Sequence, residues 1–329
     1  MPRSVRFSET GGPEVLKLVE VPVPEPKAGD VRIRVKALGL NRAEVMYRSG
    51  AYLLKPNYPA QLGYEAAGEI DAVGPGVAGF KQGDKVSVIP AFSFAEYGLY
   101  GELVLAPARA TVKHPEHLSW EEAAATWMQY VTVWGAVIDI AKLGKGDTLL
   151  IPAASSSVGL AAIQVARRVG AVPVALTRTS AKADVLKEAG AAHVIATEEQ
   201  DLVSEVMKLT AGKGARVVFD PVGGPTFEKL VRATGKNGFL FLYGALSTEP
   251  TVLPLLHTLG NHLTIHGYEL FEVTSDDAKL EEVKRFVVEG LASGALRPRI
   301  AKAFALNDIV EAHRYLESNA QVGKVVVTV

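Results

Sequence analysis

From Thr148 onward the chain alternates short apolar runs with stretches whose apolar residues recur at helical spacing. Leu149 to Pro152 is the first run, Ala153 to Ser157 holds nothing larger than a hydroxymethyl, and Gly159, Ala161 and Ala162 keep the start of the next helix slim. Val172 to Thr177 and Ala192 to Ala196 are further runs, separated by a helical pattern at Ser180 to Ala189. Gln200 to Thr210 places Leu202, Val203, Val206 and Leu209 on one helical face, ahead of a predicted strand at 216–219, a helix at 225–234 and a strand at 238–243. The connections GKGA, DPVGG and GKNG are short and rich in Gly, as right-handed βαβ crossovers require. This pattern predicts a doubly wound α/β nucleotide-binding domain over residues 127–265.

Residues 1 to about 118 read differently, as short period-two runs broken by Pro and Gly with little helical periodicity. Strands are predicted at 4–7, 16–21, 31–37, 65–73, 85–89 and 100–106, and the proline-rich 21–26 as an edge or a connection. Ser119 with Glu122 forms a capping box ahead of one long helix or two consecutive ones. After the predicted strand 263–268, Leu280, Val283, Phe286, Val287 and Leu291 mark a helix with one buried face. Asn307 or Asp308 caps another helix, and Lys324 to Val329 closes the chain as a strand. The expected organisation is a first part over 1–126, the nucleotide domain over 127–265 and a return to the first part over 266–329.

Against the dinucleotide fingerprint G-x-G-x-x-G, the turn reads A-x-S-x-x-G, keeping only Gly159 of three glycines. Ala154, Ser155, Ser156, Ser157, Val158 and Gly159 are the candidate phosphate cradle, since the first N–H groups of a helix lack partners and attract anions. An ordinary strand-to-helix turn is the alternative reading of these six residues alone. Some twenty residues on, an NAD site places a carboxylate for the ribose 2′-OH. Here the segment is Thr177-Arg178-Thr179-Ser180-Ala181-Lys182. Two cations and three hydroxyls suit a 2′-phosphate and favour NADP(H), with Thr177, Arg178, Ser180 and Lys182 as its holders. Solvated basic residues at a helix start would look the same.

The 329 residues suffice for two sizeable cores, and the formal net charge of −1 gives no basic stripe for nucleic acid or anionic membrane. The absence of Cys removes disulfides, thiolate nucleophiles and Cys-ligated zinc. No apolar run approaches a membrane span and the amino terminus has no secretory core, so a cytoplasmic protein is expected.

The order of parts resembles the medium-chain dehydrogenase/reductase superfamily, and within it the zinc-independent quinone oxidoreductases of the zeta-crystallin group. The resemblance covers essentially the whole chain. It is carried by GGPEVLKL (11–18), LGLNRAEVMYRSGAY (38–52), LGYEAAGEIDAVGPGV (62–77), FKQGDKV (80–86), AASSSVG (153–159), FDPVGG (219–224) and GKVVV (323–327). It implies a GroES-like, mostly β catalytic domain joined to a Rossmann domain. In the zinc alcohol dehydrogenases of the superfamily, the positions matching Asn41 and Tyr64 are a cysteine and a histidine ligand. With both changed and no Cys anywhere, metal-free chemistry is expected. The group usually has glycines where Ser156 and Ser157 stand.

What the resemblance implies is hydride transfer from NADPH to an electron-poor acceptor, a quinone or an enone. Asn41, Thr132, Gly244 and Ala245 would lie at the nicotinamide end, and Lys324 would reach the cofactor phosphates or be a solvated lysine at a strand start. Tyr52 matches a tyrosine that donates a proton or orients substrate, and Tyr64 is a second candidate in the vacated ligand position. Either tyrosine is otherwise an amphipathic filler, and Asn41 a turn residue. Other readings are a non-catalytic NADPH-binding protein with a structural or RNA-associated role, and an alcohol dehydrogenase-like enzyme acting on a simple carbonyl. The apolar strand near 263–268 would be an open sheet edge in a monomer, so a homodimer pairing that edge is expected.

Overall fold

The computed structural model describes all 329 residues, which divide into two compact units, Met1–Met128 with Lys284–Val329 and Gln129–Val283. The return to the first unit falls at residue 284, inside the helix Asp277–Ala292, where the sequence suggested 266.

The second unit is built on six parallel strands: β1 (Thr148–Ile151), β2 (Val172–Thr177), β3 (His193–Ala196), β4 (Ala215–Asp220), β5 (Thr234–Leu242) and β6 (Thr264–Gly267). Their order in the sheet is β3-β2-β1-β4-β5-β6, so the winding reverses between β1 and β4. Leu150 marks the centre, paired with Val174 on one side and Val218 on the other. The crossovers are α1 (Ser157–Arg168), α2 (Ala183–Glu188), α3 (Leu202–Leu209) and α4 (Thr226–Ala233). Leu202 and Val206 of α3 and Phe227, Leu230 and Val231 of α4 close a core with Leu150, Val174, Leu176, Val218 and Leu240. Full burial of each contributes about 1.5–3 kcal/mol, and none brings a polar atom.

β6 is the sheet edge, and the helix Leu255–Gly260 that precedes it in the chain has Leu255, Leu256 and Leu259 exposed, Leu256 to 85%. Upstream of β1 the chain runs through Trp127–Val133 as α-helix and Trp134–Ile140 as π-helix. There the N–H of Ala141 donates to the carbonyl of Ala136, five residues back, at 3.0 Å. The widened turn carries Gly135 against the Tyr268 hydroxyl, where a β-carbon would collide with it.

The first unit holds a seven-stranded sheet in the order 300–305, 324–328, 30–39, 65–73, 85–88 and 111–113, with 103–107 also pairing 30–39. A small sheet joins 17–20, 3–7 and 60–61. The segment 21–27 is a connection, as its prolines require. Strands 60–61, 111–113 and 300–305 and the helix Arg42–Ser49 were absent from the sequence expectation. That helix buries Glu44, Val45, Tyr47 and Arg48, a face too polar to register as a hydrophobic stripe.

Candidate functional site

The turn after β1 is narrow because its residues are small. Ala154 is buried, and a β-carbon on Gly159 would stand 2.6 Å from the Cα and carbonyl oxygen of Ala154, so only glycine lets α1 begin here. Ser155, Ser156, Ser157 and Val158 remain half-buried and accessible. Ser156 is the N-cap of α1, its hydroxyl accepting from the Gly159 N–H at 3.0 Å. That leaves the N–H groups of Ser157 and Val158 at the helix start and the hydroxyl protons of the serines as donors. The cradle lies at the carboxyl end of β1, where the order of the sheet reverses, the place at which open α/β sheets bind ligands.

Next to it is the end of β2. Arg178 and Ser180 are exposed there, and Thr177 is half-buried, its carbonyl accepting from the Thr197 N–H at 2.8 Å. Lys182 donates through Nζ to the Ser155 hydroxyl at 3.3 Å, joining the two turns. Burial, with Arg178 nearby, holds the Lys182 ammonium below its usual range. The sequence reading missed Glu199. Its Oε1 accepts from the Ser180 N–H at 2.9 Å and from the Ser180 hydroxyl at 3.3 Å. Nineteen residues separate the two, and no periodicity links them.

In the first unit Asn41, Glu44, Glu65 and Lys324 form a buried polar cluster. Asn41 caps the helix Arg42–Ser49 in a capping box with Glu44, whose carboxylate accepts from the Asn41 backbone N–H. The Glu44 carboxylate also accepts from the Tyr64 N–H at 3.1 Å. Asn41 Nδ2 donates to Glu65 at 3.2 Å, and its Oδ1 accepts from Lys324 Nζ at 2.6 Å. Glu65 accepts from the Met128 N–H at 2.8 Å and is ion-paired to Lys324. Burial pushes the Glu44 carboxyl up to about 7, against the pull of Lys324.

Lys324 therefore corrects an expectation. Its strand lies between 300–305 and 30–39 in the interior of the sheet, and the ammonium, with its residue 1% exposed, is held by Glu65 and Asn41 rather than offered to phosphates. Asn41 is 7% exposed and its amide is committed on both sides, so its structural part is to fix the helix start. The N-x-x-E spacing at 41–44 and a glutamate opening the apolar run at 65 were the available signs of this cluster.

Beside the cluster sit the two candidate tyrosines, which the fold brings together. Gly63, at φ +109°, turns the chain so that Tyr64 stacks on Phe94 at 3.8 Å between ring centres. Tyr47 stacks on Phe94 as well, at 4.6 Å. The Tyr52 and Tyr64 hydroxyls meet at 3.5 Å. Tyr64 is 2% exposed, whereas Tyr52 is half-buried, so Tyr52 is the one a small molecule reaches more easily. The remaining candidates belong to the second unit. Thr132 is 7% exposed within the helix 127–133, and Gly244 and Ala245 are exposed on the loop after β5. A β-carbon on Gly244 would lie 2.7 Å from the Pro221 carbonyl. Asp220 shapes that neighbourhood, accepting from the N–H groups of Val222 and Gly223 at 2.8 and 3.1 Å. Burial pushes its carboxyl up to about 6.

The donor set does not fit a catalytic zinc. No three His, Cys, Asp or Glu side chains gather in one place, and Asn41 and Tyr64 bring an amide and a phenol already engaged with neighbours. His266 lies on β6, where its Nε2 meets Glu272 at 3.0 Å, and no metal-ligand group forms around it.

The chain matches the alcohol dehydrogenase GroES-like domain over residues 27–116 and the zinc-binding dehydrogenase domain over residues 157–288. The crystal structure of Escherichia coli quinone oxidoreductase complexed with NADPH superposes with a TM-score of 0.90 at 31% identity, covering 99% of this chain and 100% of that one. The chain belongs to the medium-chain dehydrogenase/reductase superfamily, in its quinone oxidoreductase group. This family member is also similar to an NAD-dependent alcohol dehydrogenase, with a TM-score of 0.88 and 34% identity over 99% of both chains. The synaptic vesicle membrane protein VAT-1 homolog of Rattus norvegicus is 33% identical over 96% of this chain and 81% of its own length. No helix of this family member is long and apolar enough to cross a membrane.

Proposed function

We propose that this protein is an NADPH-dependent oxidoreductase that reduces an electron-poor acceptor, a quinone or an α,β-unsaturated carbonyl, without a catalytic zinc. The observation that carries the reading is the turn Ala153–Gly159, slim enough for a pyrophosphate and placed where the sheet reverses. When bound, the nicotinamide supplies the hydride. The chain binds, orients and protonates. Ser155, Ser156, Ser157 and Val158 receive the pyrophosphate beside Ala154 and Gly159, and Thr177, Arg178, Ser180 and Lys182 receive the 2′-phosphate. Thr132, Gly244 and Ala245 serve the nicotinamide end, and Asn41 acts as a positioning residue. The Tyr52 hydroxyl, backed by Tyr64 at 3.5 Å, gives the proton to the reduced acceptor oxygen.

The test is NADPH and NADH oxidation against a panel of quinones, enones and aldehydes, with and without a chelator. Turnover of a quinone or enone that a chelator leaves unchanged is expected. No oxidation with any of them, or loss on chelation with recovery on adding zinc, overturns the reading. The likeness to an NAD-dependent alcohol dehydrogenase favours a second reading, a simple carbonyl with NADH, which the same panel separates. The net charge of −1 speaks against an RNA-associated role. We further propose a cytoplasmic protein that forms a homodimer; the open edge β6 and the exposed leucines of the helix preceding it support the dimer.

A further inference from the structure

We propose that Glu199 is a specificity-determining residue of the nucleotide site, its carboxylate competing with a 2′-phosphate for the donors at the end of β2 and so restraining the preference for NADP(H) over NAD(H). The inference rests on the cofactor reading given above and asks what sets its selectivity.

The placement of Glu199 is fixed by backbone. Past the paired ends of β2 and β3, the Thr197 N–H donates to the Thr177 carbonyl at 2.8 Å and the Glu198 N–H to the Arg178 carbonyl at 2.9 Å. These bonds extend the ladder beyond the strands and deliver residue 199 over the turn that carries Arg178, Ser180 and Lys182. There Oε1 of Glu199 takes both the N–H and the hydroxyl of Ser180, at 2.9 and 3.3 Å. A terminal phosphate oxygen bound at this turn would accept from the same N–H and hydroxyl, which would make carboxylate and phosphate alternative occupants of one pair of donors.

Charge acts in the same direction. A phosphate monoester carries about −1.5 to −2 at neutral pH, and a carboxylate a few ångströms away opposes it even at a solvated surface. Towards an unphosphorylated ribose the same group is favourable, because the 2′-hydroxyl is a donor that seeks a carboxylate near the end of this strand. In familiar sites that acid stands on the second strand itself. Here the second strand ends at Thr177, with Arg178 and Thr179 following, and the acid arrives from the turn after the third, so the second-strand segment by itself favours the phosphate alone.

The experiment is calorimetric binding of 2′,5′-ADP and of 5′-AMP to the wild type and to E199Q, E198Q and R178A, with melting temperatures as a check on folding. The E199Q change is expected to tighten 2′,5′-ADP by about five- to tenfold while 5′-AMP is unchanged or weaker. R178A is expected to weaken 2′,5′-ADP by about tenfold. E198Q removes the same charge one residue away and should move either probe less than about twofold. An E199Q protein whose two affinities shift equally or not at all, or which loses 2′,5′-ADP because Glu199 merely staples the turn, overturns the proposal. So does an E198Q effect as large as that of E199Q, which would make net charge the cause. Wild type that binds 5′-AMP but not 2′,5′-ADP supports the restraint if E199Q gains the second probe and overturns it if E199Q does not. Wild type that binds neither probe overturns the cofactor reading, and this inference with it.

Discussion

Both units have apolar interiors, and they differ in where they hold their polar groups. In the second, the interior is aliphatic and aromatic, and polar groups are held at strand ends, where Ser156, Lys182, Glu199 and Asp220 stand. In the first, a lysine, two glutamates and an asparagine lie between sheet and helix, each satisfied by another or by backbone N–H. An apolar core tolerates change in proportion to the volume removed. A buried charged cluster depends on every member, because loss of one partner strands the other in a medium of low polarity.

Lys324→Met is the sharpest way to break this contrast. It leaves the Glu65 carboxylate buried with only amide donors, and a loss of about 3–5 kcal/mol is expected in urea unfolding followed by a probe in the first unit. A loss under about 1 kcal/mol would show that the pair is replaceable, and the contrast between the units would lapse.

Smaller in energy, but aimed at chemistry, is Tyr52→Phe. If proton delivery belongs to the first unit and nucleotide affinity to the second, kcat falls by up to about a hundredfold while the dissociation constant for NADPH stays within about twofold. Stopped-flow turnover and fluorescence titration read the two separately. Unchanged turnover removes Tyr52 from the reaction.

The mildest test uses pH. The folded protein holds the Glu44 proton up to about 7, above the carboxyl's ordinary value of 4.5, so it binds more protons than the unfolded chain across that interval. The stability tied to this group is therefore complete below about 4.5 and declines as pH rises towards 7. Glu44→Gln should gain on the wild type by about 1–2 kcal/mol between pH 5 and pH 8 in denaturant midpoints. A constant difference at both pH values would mean that Glu44 ionises as a solvated carboxyl does. On the acid side His313, driven down to about 3 by burial and by Arg48, works the other way, destabilising the fold as pH drops below its ordinary 6.5.

The same contrast explains what the sequence could reveal. Strands β1 to β5 were legible because a parallel sheet covered on both faces writes itself as continuous apolar runs between glycine turns. The capping box at Ser119 and Glu122 forms as expected, its reciprocal hydrogen bonds at 3.2 and 2.9 Å. The helix Arg42–Ser49 escaped notice because glutamate, tyrosine and arginine make up its buried face. Lys324 looked like a solvated strand start, since nothing in GKVVV reveals that neighbours flank it on both sides. Tyr52 and Tyr64 could be nominated singly, but their meeting depends on a stacked Phe94 thirty residues on.

The π-helix at Trp134–Ile140 carries a consequence of its own. Tyr130, one turn earlier, donates its hydroxyl to Gln164 at 2.7 Å, while Gly135 passes the Tyr268 phenol. Hydrogen bonds reaching five residues back amount to one residue more than an ordinary helix accommodates, and that surplus sets the angular phase between the two contacts. Excising a single residue would restore regular bonding yet turn one contact about 100° away from the other, so the irregular form is the one that keeps both.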